Sequence, residues 1–394
     1  MIDAKELLQR YTIEELNEAA EAYFAKVTDH TYLLTKPFAT ADECAKMMFQ
    51  FSAVIQGLQL FPAMDIVDFG AGTCWASHLL TQFGLKVHAT DVSPTALEIG
   101  RRRYELHPPM GTQPAPSFHA YDGYCLPFPD NSMHRVVCFD AFHHVPNPAR
   151  LLAEMARVLK EDGVAGFSEP GPEHSKTDLS QQEMSNHAVL ESDIVIEEIW
   201  DYAQAAGFKR IELAALSLEP VRLSLAEYDS FLHQSSPAKV NTRILESIRG
   251  YAHGGRIFFL HKQEVPELTS RTRMPLTGEL TVNLIHDNPM RAEVTATNTS
   301  QITWLPSEEL IGGVNLGCHL VNVNTKESNW DFFRSRLKPQ AEKVLPGETV
   351  TFTVNLPPLA PGEYELEFDL VSEYVAWFAD HGSKVSRFRF SVQG

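Results

Sequence analysis

The sequence predicts a doubly wound α/β domain followed by an all-β sandwich domain. From residue 64 to residue 261, short apolar runs alternate with helical patterns, which is typical of βαβ units and a parallel sheet covered on both faces. Beyond a linker at residues 264–276, short runs separated by Pro and Gly turns favour antiparallel strands. A chain of 394 residues is also too long for one ordinary core. We therefore expect two domains, residues 1–263 and residues 276–394.

The first 60 residues are predicted to be helical and to cap the α/β domain. Apolar residues recur at helical spacing from Leu7 to Ala20, and a second helical pattern covers residues 41–60. Thr12 followed by Glu15 has the form of a capping box, in which a hydroxyl and a carboxylate satisfy the first free amide groups of a helix. A helix is therefore expected to begin just after Thr12.

The remaining elements follow from the period of the apolar residues. In the α/β domain, strands are expected at residues 66–69, 86–90, 117–121, 135–139, 163–168, 208–213 and 256–261, and helices at residues 76–83, 94–103, 148–159 and 191–207. In the all-β domain, strands are expected at residues 280–285, 291–298, 314–323, 349–356, 364–371 and 385–392. Pro-Gly pairs between the later strands are ordinary turn chemistry.

Composition and charge exclude several classes of partner. The net charge of -18 disfavours non-specific binding to nucleic acid or to an anionic membrane, both of which need clustered Lys and Arg. No apolar run approaches the roughly 18 residues of a membrane span, and the N-terminus does not resemble a secretory signal. The five scattered cysteines are a poor disulfide framework. We expect a cytoplasmic protein without nucleic-acid partners or membrane insertion, and predict no oligomeric state.

The most informative motif is a glycine turn at the end of the first strand. Asp68, Phe69, Gly70, Ala71 and Gly72 lie between a predicted strand and a predicted helix. Glycine lets the backbone approach a ligand at a distance where a side chain would collide. We interpret this turn as part of a cofactor site, because the strand and helix around it make the short Gly-x-Gly pattern informative.

Two acids follow the ends of the next strands. Asp91 lies nineteen residues after Gly72 and precedes Val92, where a carboxylate can bind both hydroxyls of a ribose; an acidic helix cap is the alternative. Asp122 precedes Gly123 and can accept a hydrogen bond from an adenine amino group; an ordinary turn is the alternative. In series with the glycine turn, the two acids predict a nucleoside site.

With these motifs the sequence resembles the class I S-adenosylmethionine-dependent methyltransferases. The resemblance covers residues 60–170 in the right order and is carried by the glycine turn, Asp91, Asp122 and the segments 126–132, 143–145 and 152–163. It implies a Rossmann-like fold, S-adenosyl-L-methionine as cofactor and methyl transfer as the reaction.

The sequence departs from this family at two points. Cys74 stands where the family has a third glycine, and Asp162-Gly163 replaces a glycine pair before the fifth strand. A dinucleotide dehydrogenase would share the fold and Asp91. It would not ordinarily require Asp122-Gly123 or the segment His143–Val145, so the resemblance favours S-adenosylmethionine over NAD.

The predicted catalytic groups follow the fourth and fifth strands. Methyl transfer to a hydroxyl needs an aligned acceptor and a base that removes its proton. His143 and His144 follow the fourth strand and Glu169 ends the fifth, where ligands gather in doubly wound sheets. The resemblance implies a histidine and an acid at these two positions in methyltransferases that act on hydroxyls. We predict these three residues as catalytic and assign Asp140 to cofactor binding.

The same region contains several residues able to bind a metal. Asp140, Glu169, His143, His144 and His174 would converge if the strand ends meet, but their spacing matches no recognised ligand pattern. The sequence therefore predicts no metal.

The C-terminal domain suggests the class of acceptor. Residues 363–382 resemble β-sandwich modules linked to bacterial surface-glycan enzymes, which implies an immunoglobulin-like sandwich and a saccharide or glycoconjugate acceptor. Phe332-Phe333 and Trp377-Phe378 are candidates for an exposed surface that stacks on sugar rings, or else for the sandwich core. Two alternatives stay open: a methyltransferase for a non-sugar small molecule such as a polyketide, quinone or amine, and a non-catalytic scaffold that binds a nucleoside.

Overall fold

The computed structural model describes residues 1–111, 113–272, 275–285, 290–337 and 342–393. The chain divides into two compact units, one formed by residues 1–60 and 64–265 and the other by residues 61–63 and 266–394. The predicted linker at residues 264–276 includes Arg273 and Met274, which lie outside the described residues. The domain limits drawn from the sequence stay a prediction.

The first unit begins with four helices, α1 (Ala4–Arg10), α2 (Ile13–Lys26), α3 (Thr31–Thr35) and α4 (Ala41–Leu58). The capping box of α2 is confirmed, because the Thr12 side chain accepts from the Glu15 amide and the Glu15 carboxylate accepts from the Thr12 amide. The sequence did not predict α3. A helix of five residues is too short to show a period.

A seven-stranded sheet forms the centre of this unit. Its strands are β1 (Asp65–Phe69), β2 (Lys86–Asp91), β3 (Ser117–Ala120), β4 (Met133–Phe139), β5 (Leu159–Pro170), β6 (Arg210–Leu213) and β7 (Gly255–His261). Their order across the sheet is β3-β2-β1-β4-β5-β7-β6. Every residue of β4 is buried, as expected for a parallel strand covered on both faces. The predicted strands are therefore confirmed within a few residues at each end.

The expectation of a wholly parallel sheet is wrong for one strand. β7 is antiparallel to both β5 and β6. The direction of a strand depends on the end of the sheet at which the preceding segment delivers the chain, and no local apolar pattern encodes that end. The sheet is therefore mixed.

Seven helices accompany the sheet: α5 (Trp75–Thr81), α6 (Pro94–Leu106), α7 (Pro148–Val158), α8 (Asp178–His187), α9 (Ile196–Ala206), α10 (Leu225–Leu232) and α11 (Ala238–Gly254). α6 begins as its sequence indicates, with Pro94 in the first turn and the Ser93 hydroxyl accepting from the Ala96 amide. The helix expected at residues 191–207 starts only at Ile196. No helix was predicted at the positions of α8, α10 and α11.

The core of the first unit lies between the sheet and its helices. Phe167 on β5 and Phe258 on β7 stack with ring centroids 4.6 Å apart, and both are fully buried. Burying one such side chain contributes about 1.5–3 kcal/mol to stability. This core fixes the strand ends that carry the polar residues described below.

The second unit consists of antiparallel strands. They are β8 (Gly278–Ile285), β9 (Arg291–Asn298), β10 (Val314–Asn322), β11 (Ser328–Arg336), β12 (Thr349–Asn355), β13 (Gly362–Ser372), β14 (Ala376–Trp377) and β15 (Ser386–Val392). One sheet has the order β12-β9-β8, and the other has the order β11-β10-β13-β14, with β15 also paired to β13. Side chains from both sheets share one apolar cluster. The six predicted strands are confirmed, whereas β11 and β14 were not predicted and the immunoglobulin-like topology stays a prediction.

The aromatic residues of this unit divide between core and surface. Trp304 and Phe378 are fully buried and pack edge to face, so Phe378 cannot belong to a stacking surface. Phe332, Phe333 and Trp377 are partly buried, and Trp330 is 70% exposed.

Within the described ranges, none of the helices has the length and apolar character needed to cross a bilayer.

Candidate functional site

A cavity of about 990 Å³ opens at the carboxyl ends of the parallel strands. The carboxyl ends of β1, β2, β4 and β5 line one side of it, through Phe69, Asp91, Phe139 and Glu169. Residues of α2, the α3 segment and α4 line its other side, and every lining residue belongs to the first unit. The site therefore lies where ligands gather in doubly wound sheets.

The predicted glycine turn forms part of this cavity wall. Gly70 and Gly72 have φ values of 66° and 50°, a left-handed conformation that favours glycine. A Cβ at Gly70 would lie 2.3 Å from the Cβ of Ala141, so this position also has no room for a side chain. Phe69 and Ala71 line the cavity with the two glycines, and the turn presents backbone to a ligand.

Asp91 joins the end of β2 to this turn. Its Oδ2 accepts from the Gly72 amide at 2.8 Å, and its Oδ1 accepts from the Ser93 amide at 2.8 Å. Each carboxylate oxygen has a second lone pair, so both can still accept from a ligand hydroxyl. Burial raises the pKa of this carboxyl. Asp91 and Val92 line the cavity, so the cap interaction and the predicted ribose interaction are geometrically compatible.

Two of the other acids predicted to bind the cofactor, Asp122 and Asp68, are not among the residues that line the cavity. Asp122 Oδ1 accepts from the amides of Tyr124 and Cys125 at 2.8 and 2.9 Å, as in an ordinary turn, whereas Gly123 lines the cavity. Asp68 lies beneath the glycine turn and accepts from the Ser77 hydroxyl at 2.5 Å. Burial raises the pKa of Asp68 to about 7.

Cys74 occupies the position of the missing glycine without closing the cavity. Its φ is 60°, its side chain is fully buried, and it is not among the lining residues. A Cβ on Gly100 of α6 would lie 2.4 Å from the Cys74 sulfur, so a glycine in the neighbouring helix makes room for the thiol.

Glu169 is saturated by donors from the turn that follows β4. Its Oε1 accepts from the amides of Ala141 and Phe142 at 3.1 and 2.9 Å, and from the Cys138 thiol at 3.3 Å. Its Oε2 accepts from the His143 ring Nδ1 at 2.8 Å. Burial raises the pKa of this carboxyl even though these hydrogen bonds oppose the shift. The arrangement fixes the turn and the His143 ring, and leaves Glu169 little capacity to bind a ligand.

The two predicted histidines make hydrogen bonds to different residues, and each also has a ring nitrogen within 4 Å of the Glu191 carboxylate. His143 is buried, and the bond from Nδ1 to Glu169 leaves Nε2 directed at Glu191, 3.8 Å away. Burial holds the pKa of His143 well below its usual range. His144 donates from Nδ1 to the Leu190 carbonyl at 2.7 Å, and its side chain is 39% exposed. Both rings line the cavity, with centroids 3.9 Å apart.

Sequence reasoning missed Glu191. This residue is buried, lines the cavity and accepts from His174 Nε2 at 2.7 Å and from the Ser180 hydroxyl at 3.1 Å. Burial alone would raise its pKa, but the hydrogen bond from His174 and the charges of the neighbouring histidines outweigh burial and lower it. Glu191 is the first residue of the helix predicted at residues 191–207, where an acid is ordinary. No local pattern in the sequence therefore marks it as a residue of the site.

Asp140 projects into the cavity beside Glu169. Its φ is 45° and its amide donates to the Ser168 carbonyl at 2.8 Å. The surrounding protein raises the pKa of its carboxyl, and the Glu169 carboxylate adds to the shift.

Residues 67–167 match a methyltransferase domain family. The chain is 36% identical over 120 residues to a demethylmenaquinone methyltransferase of Renibacterium salmoninarum, which covers 30% of this chain and 47% of that protein. It is 26% identical over 169 residues to the methyltransferase GfsG of Streptomyces halstedii, which covers 40% of this chain and 60% of that protein. The match thus spans about half the length of the curated relatives.

Among solved structures, geranyl diphosphate C-methyltransferase from Streptomyces coelicolor A3(2) aligns with 64% of this chain and 98% of its own, at 14% identity and a TM-score of 0.43. A likeness at this level adds nothing about function. The sequence match over residues 67–167 is the informative one.

Proposed function

We propose that this chain transfers the methyl group of S-adenosylmethionine to an oxygen atom of a small-molecule acceptor. The proposal starts from its methyltransferase core, which uses S-adenosylmethionine as the cofactor. One observation carries the proposal. The glycine turn, Asp91 and the ring of His144 line one cavity, so a cofactor and a base would meet in the same space.

The cofactor is proposed to lie across the ends of β1 and β2. Asp91 would hold the ribose hydroxyls with its remaining lone pairs, and the Gly70–Gly72 backbone would lie against the amino acid portion. Gly123 and Val92 would flank the adenine. Asp122 would reach it only through the carboxylate oxygen that is not bonded in the turn.

His144 is the proposed general base. Its Nδ1 is fixed by the Leu190 carbonyl, which leaves Nε2 as the proton acceptor of a half-exposed ring. Glu169 and His143 were predicted as catalytic together with it. We assign Glu169 a positioning role, because its oxygens are occupied by donors from the turn that carries both histidines.

The cavity favours an uncharged or cationic acceptor. Seven acidic residues line it, against two lysines: Glu43, Asp91, Asp140, Glu169, Glu183, Glu191 and Glu219, with Lys36 and Lys46. A phosphorylated acceptor would be repelled. A saccharide hydroxyl, proposed from the C-terminal resemblance, fits this charge and is the first acceptor to test.

A quinone-like ring is the second candidate acceptor. The demethylmenaquinone methyltransferase similarity suggests it, and apolar side chains such as Phe24, Met47 and Leu179 line part of the cavity. The two candidates differ in polarity, so paired assays with sugars and with reduced quinones distinguish them.

His144→Ala tests the proposal. We expect the turnover number to fall by about 10²–10⁴-fold, the usual contribution of a general base, with S-adenosylmethionine affinity unchanged in calorimetric titration. His233→Ala, which removes an exposed histidine outside the cavity, is the matched control and should keep full activity.

Each failure has its own meaning. Unchanged turnover in His144→Ala would remove the base assignment. Micromolar binding of S-adenosylmethionine without turnover on any acceptor would favour the non-catalytic scaffold. Binding of NAD in its place would overturn the proposal.

A further inference from the structure

We propose that His143, His174 and Glu191 form a binding site for one divalent transition-metal ion, with Zn²⁺ the ion that fits best. Each residue offers one ligand atom, and these atoms lie within 4.8 Å of one another. All three side chains line the cavity next to His144. The role of the metal in the reaction rests on the proposed function, whereas the binding site itself does not.

The donor set suits zinc. Two imidazole nitrogens and one carboxylate oxygen are common zinc ligands, and three protein ligands with one open position are typical of catalytic rather than structural sites. Zinc bonds of about 2.0–2.2 Å place tetrahedral donor atoms roughly 3.4 Å apart. The Glu191 carboxylate lies 2.7 Å from His174 Nε2 and 3.8 Å from His143 Nε2, and these two distances bracket that value.

The neighbours of the three residues act as an outer shell. Metal-binding histidines usually donate their other ring nitrogen to a carboxylate or carbonyl, which fixes the ring and its tautomer. His143 does so through Nδ1 to Glu169 at 2.8 Å, and Glu169 is itself held by backbone amides. Glu191 accepts from the Ser180 hydroxyl at 3.1 Å. Nε2 of His143 is thereby aimed at the cluster.

A hydrogen-bonded pair of His174 and Glu191 is the competing explanation. It accounts for their short contact, but it gives no role to His143, whose Nε2 is 3.8 Å from Glu191, too far for a hydrogen bond. A bound dication would give this nitrogen a partner and would add positive charge beside the acids Glu169 and Asp140, of which Asp140 already feels the charges of Lys36 and Lys46.

The open position of such a metal would take the hydroxyl oxygen of the acceptor. A metal-bound hydroxyl loses its proton more readily, and His144, with its ring centroid 3.9 Å from that of His143, would accept the proton. The oxygen then forms its bond to the methyl carbon while the carbon–sulfur bond breaks and sulfur keeps the electron pair. This narrows the acceptor class to hydroxyl compounds that can also bind a metal.

The test is metal titration of the full chain after chelator treatment. Zn²⁺ binding is followed by calorimetry, and Co²⁺ binding by its visible absorption, which reports coordination geometry without any turnover. We expect one equivalent of metal to bind. His174→Ala and Glu191→Gln should each weaken binding at least tenfold, while the exposed control His233→Ala binds as the unchanged protein does.

The outcomes are distinct from those of the proposed function. No saturable binding, or equal binding in both variants, overturns the metal site, even if S-adenosylmethionine binds and turnover is intact. Metal binding that depends on His174 and Glu191 supports the site, even if S-adenosylmethionine fails to bind. Glu191→Gln keeps the shape of the side chain, so it decides the question if His174→Ala does not fold.

Discussion

Asp68 and Asp91 both belong to the predicted cofactor motifs, but their surroundings differ. Asp68 lies within β1, is 2% exposed and bonds to Ser77 of α5, so it supports the glycine turn from below. Asp91 ends β2, bonds to Gly72 and lines the cavity. That Asp68 binds the cofactor stays a prediction; it is not among the residues that line the cavity, and its hydrogen bond to Ser77 supports the turn next to it.

The raised pKa of Asp68 predicts a pH-dependent stability. A carboxyl with a pKa of about 7 in the folded state and about 3.9 when unfolded binds more protons in the folded state between these values. The free energy of unfolding therefore falls as pH rises from 4 to 7, by up to about 1.4 kcal/mol per pH unit. Asp68→Asn removes this contribution.

Chemical denaturation at pH 5 and at pH 8 measures the effect. From pH 5 to pH 8, the free energy of unfolding of the unchanged protein should fall by about 2 kcal/mol more than that of Asp68→Asn, because only the unchanged protein has the Asp68 carboxyl. Asp201→Asn, on the exposed face of α9, should run parallel to the unchanged protein. Parallel curves for all three proteins would contradict the prediction.

At the scale of elements, the N-terminal helices are bonded to the segments that carry the cofactor site. Glu21 of α2 accepts from the hydroxyls of Ser93 and Thr95, both at 2.5 Å, at the start of α6. Asn17 of α2 donates to the Asp122 carbonyl at 3.0 Å. The N-terminal helices thus have a structural role, because they bond to these segments and line the cavity opposite the strand ends.

Arg103 of α6 donates several hydrogen bonds to α3 and to the residue that follows it. It is 4% exposed and donates to the carbonyls of Thr73, Leu34 and Lys36 at 3.0, 2.8 and 2.8 Å. Charge-assisted hydrogen bonds of this kind contribute about 1.5–3 kcal/mol each. One side chain therefore links the glycine turn to the short helix that lines the cavity.

Arg103→Met should loosen this helix while keeping much of the apolar packing. We expect faster hydrogen exchange at residues 31–37 and S-adenosylmethionine affinity lowered about tenfold, which is 1.4 kcal/mol. Arg102→Met is the matched control, because the neighbouring arginine is exposed. Unchanged exchange at residues 31–37 in Arg103→Met would show that other contacts hold α3.

At the scale of the whole molecule, the cavity belongs to one unit. Every lining residue lies between Leu16 and Gly255, within the first unit, whereas the second unit has a separate apolar core. Cofactor binding should therefore be a property of the first unit.

Truncation tests this separation. A chain of residues 1–265 should bind S-adenosylmethionine with a dissociation constant within about threefold of the full chain, a difference below 1 kcal/mol. Calorimetry gives the affinity, and circular dichroism checks the fold, since residues 61–63 group with the second unit. A folded fragment without affinity would mean that the second unit contributes to the site.

The sequence by itself determined the local elements and the order of the main motifs. The glycine turn, the Thr12 capping box and the buried run of β4 depend on neighbouring residues, so period and capping chemistry were sufficient to predict them. Asp91 was predicted for the same reason, because its spacing from the turn is fixed by one βαβ unit.

Only the tertiary structure decided which side chains meet. His143, His174 and Glu191 come from three separate segments, and no spacing in the sequence brings them together. The reversed direction of β7 was also decided there. The physical reason is the same in each case: these features depend on where distant segments pack against one another, and local apolar periodicity carries no information about that packing.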